Sequence, residues 1–421
     1  MKTNTSWAFV GNAAYAGCQW LVFVLLVKSL GLAEVGLFAY WIAVTGPIFV
    51  LANVRLRNLL ATGAQSPGGF SDYLAARLFT TFGALVVSLL IGALISPGAG
   101  SLTILAFIAG AKACDAISDI CHGLFQKELD MRSAAIGLIA NGVSSVALVG
   151  LSLVIRPSLA WATAAYATGS CAALLAWDVP RMTARAKTLL PSSTRRETCT
   201  AARCLIVKAL PLGLSSAVGS MQVNLPRYVL ASYLGPAALG VFAALSYVPT
   251  LGNLVVNAIS QAALPLLSND LRMSLARYRR RLFGLVAAGV ALGAAGVLAA
   301  AVAGRPILAW LYGAEYASHG GVLCWLMTGA AVSYAFVFLG TATTARLRFG
   351  AQFLISLAGF SVVAGTVGPL TSRYGLTGAA WSLLAGAIVE GSGYVALTAR
   401  DITVADSRRL VPGGLAEGVR S

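Results

Sequence analysis

Few ionisable side chains fall inside the long apolar stretches of this chain, and those few are the ones able to do chemistry. Lys112, Asp115 and Asp119 stand at i, i+3 and i+7, a spacing that sets all three on one face of a helix. Lys112 then reaches Asp115 while Asp119 continues the stripe. The pattern suits an ion-coupling site in a cavity wall, or a cluster that neutralises itself. Arg55 and Arg57 close an apolar segment in Asn53-Val54-Arg55-Leu56-Arg57-Asn58. If the helix continues past Arg57 into a cavity, a guanidinium there holds a phosphate through two parallel N–H···O bonds; if it does not, the pair anchors the segment at the headgroups. Asn224 and Arg227 flank Pro226, whose missing N–H predicts a kinked, broken helix with polar groups free for a ligand. The alternative is an Arg227 that snorkels to the outer headgroups. Glu390 is a lone carboxylate among small residues, suited to proton coupling or to pairing with a base across a bundle.

Other chemistries find no residues. The phosphate-loop pattern G-x-x-x-x-G-K-[ST] is absent, His122 and His319 lie far apart, and no Cys/His/carboxylate grouping has metal-ligand spacing. The seven cysteines include no C-x-x-C pair and mostly sit in apolar runs, where cysteine packs as a small hydrophobe. No catalytic residue, metal or cofactor is expected.

The elements that must position these groups follow from composition. At 58% hydrophobic and 10% charged residues with mean hydropathy +0.81, the 421-residue chain excludes a water-soluble enzyme. Apolar segments of helix-crossing length read at 7–27, 35–54, 74–95, 102–121, 134–155, 159–179, 209–229, 237–262, 282–303, 321–343, 352–371 and 376–398. The fold class expected is an all-α integral membrane protein of about twelve crossing helices. The net charge of +16 falls mostly between the segments rather than in a stripe interleaved with aromatics, so nucleic acid is not the expected partner. With the N-terminus inside, only Lys28, Arg156, Arg227, Arg305 and Arg373 fall on the outer side, which predicts both termini in the cytoplasm.

The chain also repeats itself. At a constant offset of 204, residues 30–60 match 234–264 at Gly31/Gly235, Gly36/Gly240, Phe38/Phe242, Asn53/Asn257 and further positions. The offset spans six segments, so the halves share one orientation about an axis along the membrane normal. The organisation expected is a six-helix lobe over 1–180, a basic cytoplasmic linker over 181–208, a second six-helix lobe over 209–400 and a cytoplasmic tail over 401–421.

Two segments carry a resemblance. LGLAEVGLFAYWIAVTGPIFVLANVRLRNLLATG and NLPRYVLASYLGPAALGVFAALSYVPTLGNLVVNAISQAALPLLS resemble the O-antigen and exopolysaccharide repeat-unit flippases of the multidrug/oligosaccharidyl-lipid/polysaccharide exporter superfamily. That resemblance implies two pseudo-symmetric six-helix lobes in a V-shaped bundle around a cationic cavity. It implies a polyprenyl-pyrophosphate-linked oligosaccharide moved across a bacterial inner membrane without ATP, for lipopolysaccharide or exopolysaccharide synthesis. It places Arg55 and Arg57 in the L-R-x-x-L-A-T stretch and Asn224 and Arg227 in an N-x-x-R, as substrate-binding candidates. Lys112, Asp115, Asp119 and Glu390 remain ion-coupling candidates. The sequence departs from the family at Gly63, where members often carry an acid. Expected partners are the lipid-linked oligosaccharide, membrane lipids, and a polysaccharide polymerase with its chain-length machinery. The alternatives are a cation-coupled drug exporter of the same superfamily and a membrane glycan polymerase or ligase. The latter would need a large outer loop bearing Arg and His groups, and the break at 304–320 holds only Arg305, Glu315 and His319 as charged or imidazole groups.

Overall fold

A computed structural model describes residues 2–62, 69–96, 98–186, 195–346 and 348–410. Its elements are α1 (Lys2–Ser29), α2 (Leu32–Asn53), α3 (Leu56–Thr62), α4 (Phe70–Ile95), α5 (Ala99–Lys127), α6 (Met131–Ile155), α7 (Leu159–Ala173), a π-helical turn (Leu174–Asp178), α8 (Val179–Ala186), α9 (Arg195–Met273), α10 (Leu275–Tyr312), α11 (Ala314–Ala317), α12 (Gly320–Ala345) and α13 (Phe349–Leu410). No strand occurs among the described residues. Hydrocarbon offers no partner for a backbone N–H or C=O, so each crossing segment must bond its own backbone internally, as a helix does.

Among the described residues nine helices are long and apolar enough to cross a membrane. Two of them exceed one crossing. The backbone leaves helical geometry at Gly235 in α9 (φ 80°, ψ 177°) and at Gly375 in α13 (φ 58°, ψ −133°). Positive φ there favours glycine, and both turns fall in gaps that hydropathy alone separates. The 29-residue α5 carries Lys112, Asp115 and Asp119. Large apolar side chains such as Leu94 and Val154, each 84% exposed, cover the outside as lipid-facing surface.

Two expectations about local structure are corrected. The helix does not break at Pro226: α9 keeps helical geometry through it and departs only at Gly235. Proline fixes φ near the helical value, so its cost is one lost hydrogen bond to Gln222 O rather than a chain reversal. Nor does α2 run on through Arg57. Val54 (φ 36°) and Arg55 (φ 50°) are left-handed, and the short α3 starts after them. Of the segment expected as a linker, 195–208 is the start of α9, while 187–194, Gly63 and tail residues 411–421 lie outside the described residues.

The main core joins both ends of the sequence, with Phe23, Phe38 and Trp41 in one cluster with Phe242, Leu245 and Tyr312. At the end where α1 turns into α2, the contact is reciprocal. A Cβ added at Gly36 would lie 1.7 Å from Pro236 O, and one added at Gly240 would lie 2.6 Å from Leu32 O. The offset of 204 maps 36 onto 240 and 32 onto 236. Residue i touching j′ while j touches i′ is what a two-fold relation between repeats produces. Phe23 and Tyr247 pack nearby at 4.6 Å between ring centroids, and Trp20 Nε1 donates to Tyr312 Oη at 3.1 Å.

Candidate functional site

In the first half every charge that the sequence singles out on α3 and α5 has an opposite partner. Lys112 Nζ lies 3.6 Å from Asp115 Oδ2, the pairing that the i, i+3 spacing predicts. Asp115 also accepts from Asn141 Nδ2 at 2.9 Å and Tyr15 Oη at 3.2 Å. Asp119 does not continue that cluster. It accepts from Arg57 at 3.3 Å and from Arg77 at 2.8 Å, and Arg77 also donates to Asn53 Oδ1. Arg77 is fully buried at 0% exposure, so this carboxylate is what makes its charge tolerable inside the bundle. The left-handed turn at Val54–Arg55 explains the division of labour. It swings α3 beside α5, turning Arg57 inward to Asp119, while Arg55 Nε instead donates to Ser216 Oγ at 2.8 Å.

The second half holds open space. One cavity of about 440 Å³ is lined by Arg55, Asn257, Ser260, Gln261, Thr341 and Glu390 among others. Another of about 730 Å³ is lined by Arg227, Gln222, Asn253, Asn257, Ser333 and Glu390 among others. They share Asn257, Ser333, Val337, Ala387 and Glu390, so they meet in one polar chamber with Arg55 at one end and Arg227 at the other. Arg227 Nη1 donates to Asn224 Oδ1 at 3.0 Å, and Asn224 is held in turn by Ser220 O at 2.8 Å. Gly46 of α2 leaves room for this side chain: a Cβ there would sit 3.5 Å from Asn224 Nδ2. Neither Arg55 nor Arg227 forms an ion pair with a described carboxylate, and Glu390 forms none with a described base. Tyr247 lies within electrostatic reach of both Arg227 and Lys112, so the two halves turn these cations toward common ground.

The structure thus brings Arg55, Arg227 and Glu390 to one chamber with Asn224 bracing Arg227, and sets Arg57, Lys112, Asp115 and Asp119 apart in ion pairs. Sequence reasoning missed Arg77, Asn53, Tyr15, Asn141 and Gln222. Arg77 was findable, as a cation near the start of an apolar run that the offset of 204 aligns with Arg281. Uncharged amides and hydroxyls give no such signal. A buried pair outside the chamber, His122 Nε2 with Asp178 Oδ1 at 3.1 Å, fixes α5 to the π-helical turn. Among the described residues no group of three His, Cys, Asp or Glu could hold a metal.

Known proteins resemble the chain in sequence and in fold. The family model described as "Polysaccharide biosynthesis protein" matches residues 1–269. The chain belongs to that family. The chain is 25% identical, over 389 residues, to the capsular polysaccharide biosynthesis protein CapF of Staphylococcus aureus, covering 91% of this chain and 95% of the relative. Its fold is similar to that of the DinF-BH multidrug transporter of the MATE family (TM-score 0.69, 13% identity, 95% of each chain). It is also similar to the lipid II flippase MurJ in an inward closed conformation (TM-score 0.65, 13% identity, 92% of this chain and 89% of that one). The chain is thus a member of the polysaccharide biosynthesis family with a multi-pass helical membrane fold like that of these transporters.

Proposed function

We propose that this transporter flips a polyprenyl-pyrophosphate-linked oligosaccharide across a bacterial inner membrane by alternating access. The observation that carries the reading is the pair of guanidinium groups, Arg55 and Arg227, that form no ion pair with a described carboxylate and line one polar chamber. Moving a sugar head and two phosphates through hydrocarbon strips them of water without replacement. A chamber that offers fork-shaped donors to phosphate and amides to sugar removes that cost while the prenyl tail stays in lipid. Counting each glycine-bent helix twice and including α5 gives twelve crossings, six on either side of residues 181–208. With both termini cytoplasmic, the Gly36–Pro236 contact closes the outer end and the Arg55 end of the chamber faces inward. The basic residues Arg181, Arg185 and Arg203 then lie near anionic lipid, and a surface polymerase with its chain-length machinery would take the product.

In proteoliposomes, transport of a polyprenyl-pyrophosphate glycan is expected to fall about ten-fold or more in Arg55→Ala and in Arg227→Ala, the effect of losing one charge-assisted contact. A strain lacking the protein is expected to accumulate lipid-linked repeat units on the cytoplasmic face. Normal surface glycan in that strain, or wild-type transport by both variants, would overturn the reading. The carboxylates Glu390 and Asp115 favour a second reading, a cation-coupled drug exporter. Drug efflux that depends on Glu390, with no glycolipid movement, would establish that one instead.

A further inference from the structure

Several groups that line the chamber of the second half present acceptors, because their own donors are committed. Ser246 Oγ donates to Phe242 O at 2.7 Å, Thr250 Oγ1 to Ser246 O at 2.8 Å, Ser333 Oγ to Gly329 O at 3.1 Å and Thr341 Oγ1 to Val337 O at 2.9 Å. Each hydroxyl has its only proton fixed on its own helix, so what it offers the cavity is a lone pair. Asn257 commits one of its two amide protons to Asn253 O at 2.8 Å and keeps its carbonyl oxygen as an acceptor. Gln222, 8% exposed, has an Oε1 that finds no donor. A buried carbonyl oxygen without a donor is rare, and here it lines a space large enough for a ligand. Beside it Glu390 adds a carboxylate where the two cavities meet. The charged donors Arg55 and Arg227 stand at the ends of the chamber.

Resting on the flippase reading, we propose that this chamber receives the glycan head and selects a sugar that donates hydrogen bonds, through hydroxyl, acetamido N–H or ammonium groups, against one that carries a carboxylate. Glu390 and Gln222 are the specificity-determining residues. A uronic acid would set its carboxylate beside the Glu390 carboxyl in a low-dielectric space, where the two cannot both stay charged, and would set acceptors against acceptors. The phosphates are unaffected by this choice, because their donors are the two arginines outside the acceptor-lined wall.

The test uses two probes with the same prenyl tail and pyrophosphate, one carrying N-acetylglucosamine and the other glucuronic acid. Equilibrium binding to the full chain in nanodiscs, without any ion gradient, separates sugar selection from ion coupling. The N-acetylglucosamine probe is expected to bind about ten-fold tighter or more. Glu390→Gln narrows that ratio to about two- or three-fold, chiefly by strengthening the glucuronic acid probe. Gln222→Leu weakens the N-acetylglucosamine probe several-fold and leaves the other unchanged, so the test survives a Glu390 variant that fails to fold. Equal binding of the two probes by the wild type, or a ratio untouched by both variants, overturns the selection while leaving the flippase reading intact. Binding of neither probe overturns that reading and this inference with it.

Discussion

The two halves place related residues on related helices and put them to opposite uses. Asn53 is held by Arg77, whereas its repeat partner Asn257 lines the chamber. Arg57 is paired with Asp119, whereas Gln261 at the equivalent position borders open space. Arg77 is fully buried and shares Asp119 with Arg57; its counterpart Arg281 is 36% exposed and pairs with Asp270 instead. Ion pairs on α3, α4 and α5 tie the helices of the first half together, while the second half has uncharged Asn257 and Gln261 at the positions that match Asn53 and Arg57 and keeps open space beside them. On the repeat read from the sequence, a few charged positions that differ between the halves leave one tied by ion pairs and the other with open polar space.

The sharpest way to break this contrast is at Asp119. Asp119→Asn leaves Arg57 and Arg77 facing each other with no compensating charge, one of them fully buried. Loss of one partner from a buried pair costs about 3 kcal/mol or more. Gln261→Ala, at the position in the second half that matches Arg57, is expected to cost under about 0.5 kcal/mol, as substitutions bordering open space do. Thermal unfolding of both variants in detergent measures the difference. A double variant, Asp119→Asn with Arg77→Met, recovers most of the loss if the uncompensated cation is its cause. Similar losses from Asp119→Asn and Gln261→Ala would mean that the halves do not differ in this way.

A middle-sized effect tests the feature that the halves share. Gly36→Ala would set a methyl group 1.7 Å from Pro236 O, and Gly240→Ala one 2.6 Å from Leu32 O. Backbone atoms cannot rotate aside, so each change pushes the two helices apart at a cost of about 1–3 kcal/mol. Cysteines introduced as Leu32→Cys and Pro236→Cys would report this as several-fold slower cross-linking in the Gly36→Ala background. Gly31→Ala, where a Cβ meets nothing within 4 Å, is the control that leaves the cross-link unchanged. An unchanged rate in Gly36→Ala would remove the close seam.

How much of this could be read from the sequence depended on how strongly each feature breaks the apolar background. The crossing helices stand out because hydrocarbon demands about twenty apolar residues per crossing, and the breaks at Gly235 and Gly375 fall where hydropathy lapses. The Lys112–Asp115 pair follows from helical spacing alone. Partners on different helices do not. Nothing local ties Asp119 to Arg57 and Arg77, 62 and 42 residues away, because that pairing depends on the left-handed turn at Val54–Arg55, a conformation that a β-branched valine does not advertise. Pro226 misled for the opposite reason. It carries the strongest helix-breaking signal in its segment, yet a long helix can absorb one missing N–H. The chamber was the least legible of all, since serine, threonine and asparagine are unremarkable in a crossing helix until the fold shows that they line one space.

The smallest effect separates the halves by the kind of helix cap they use. Asp130 caps α6, its Oδ1 accepting from Ser133 N at 3.0 Å and its Oδ2 from Ser133 Oγ at 2.7 Å, with Arg185 donating to the same carboxylate. Ser274 caps α10 with a neutral hydroxyl, accepting from Arg277 N at 3.4 Å. Burial alone would raise the Asp130 carboxyl, but the Ser133 hydroxyl and N–H together with Arg185 outweigh it and hold the group below its ordinary value. A carboxyl lowered on folding adds stability that is complete above the unfolded value, about 3.9, and fades as pH falls through the lower folded one. Asp130→Ala is therefore expected to cost about 1 kcal/mol at neutral pH, and that cost shrinks as pH drops below about 4. Ser274→Ala is expected to cost about 0.5–1 kcal/mol with no dependence on pH over the same range. Melting curves of the two variants against wild type, taken from pH 7 down to the acid limit of folding, give both profiles. Parallel profiles would mean that Asp130 acts as a neutral cap too, and that the ionic character of the first half stops at the membrane.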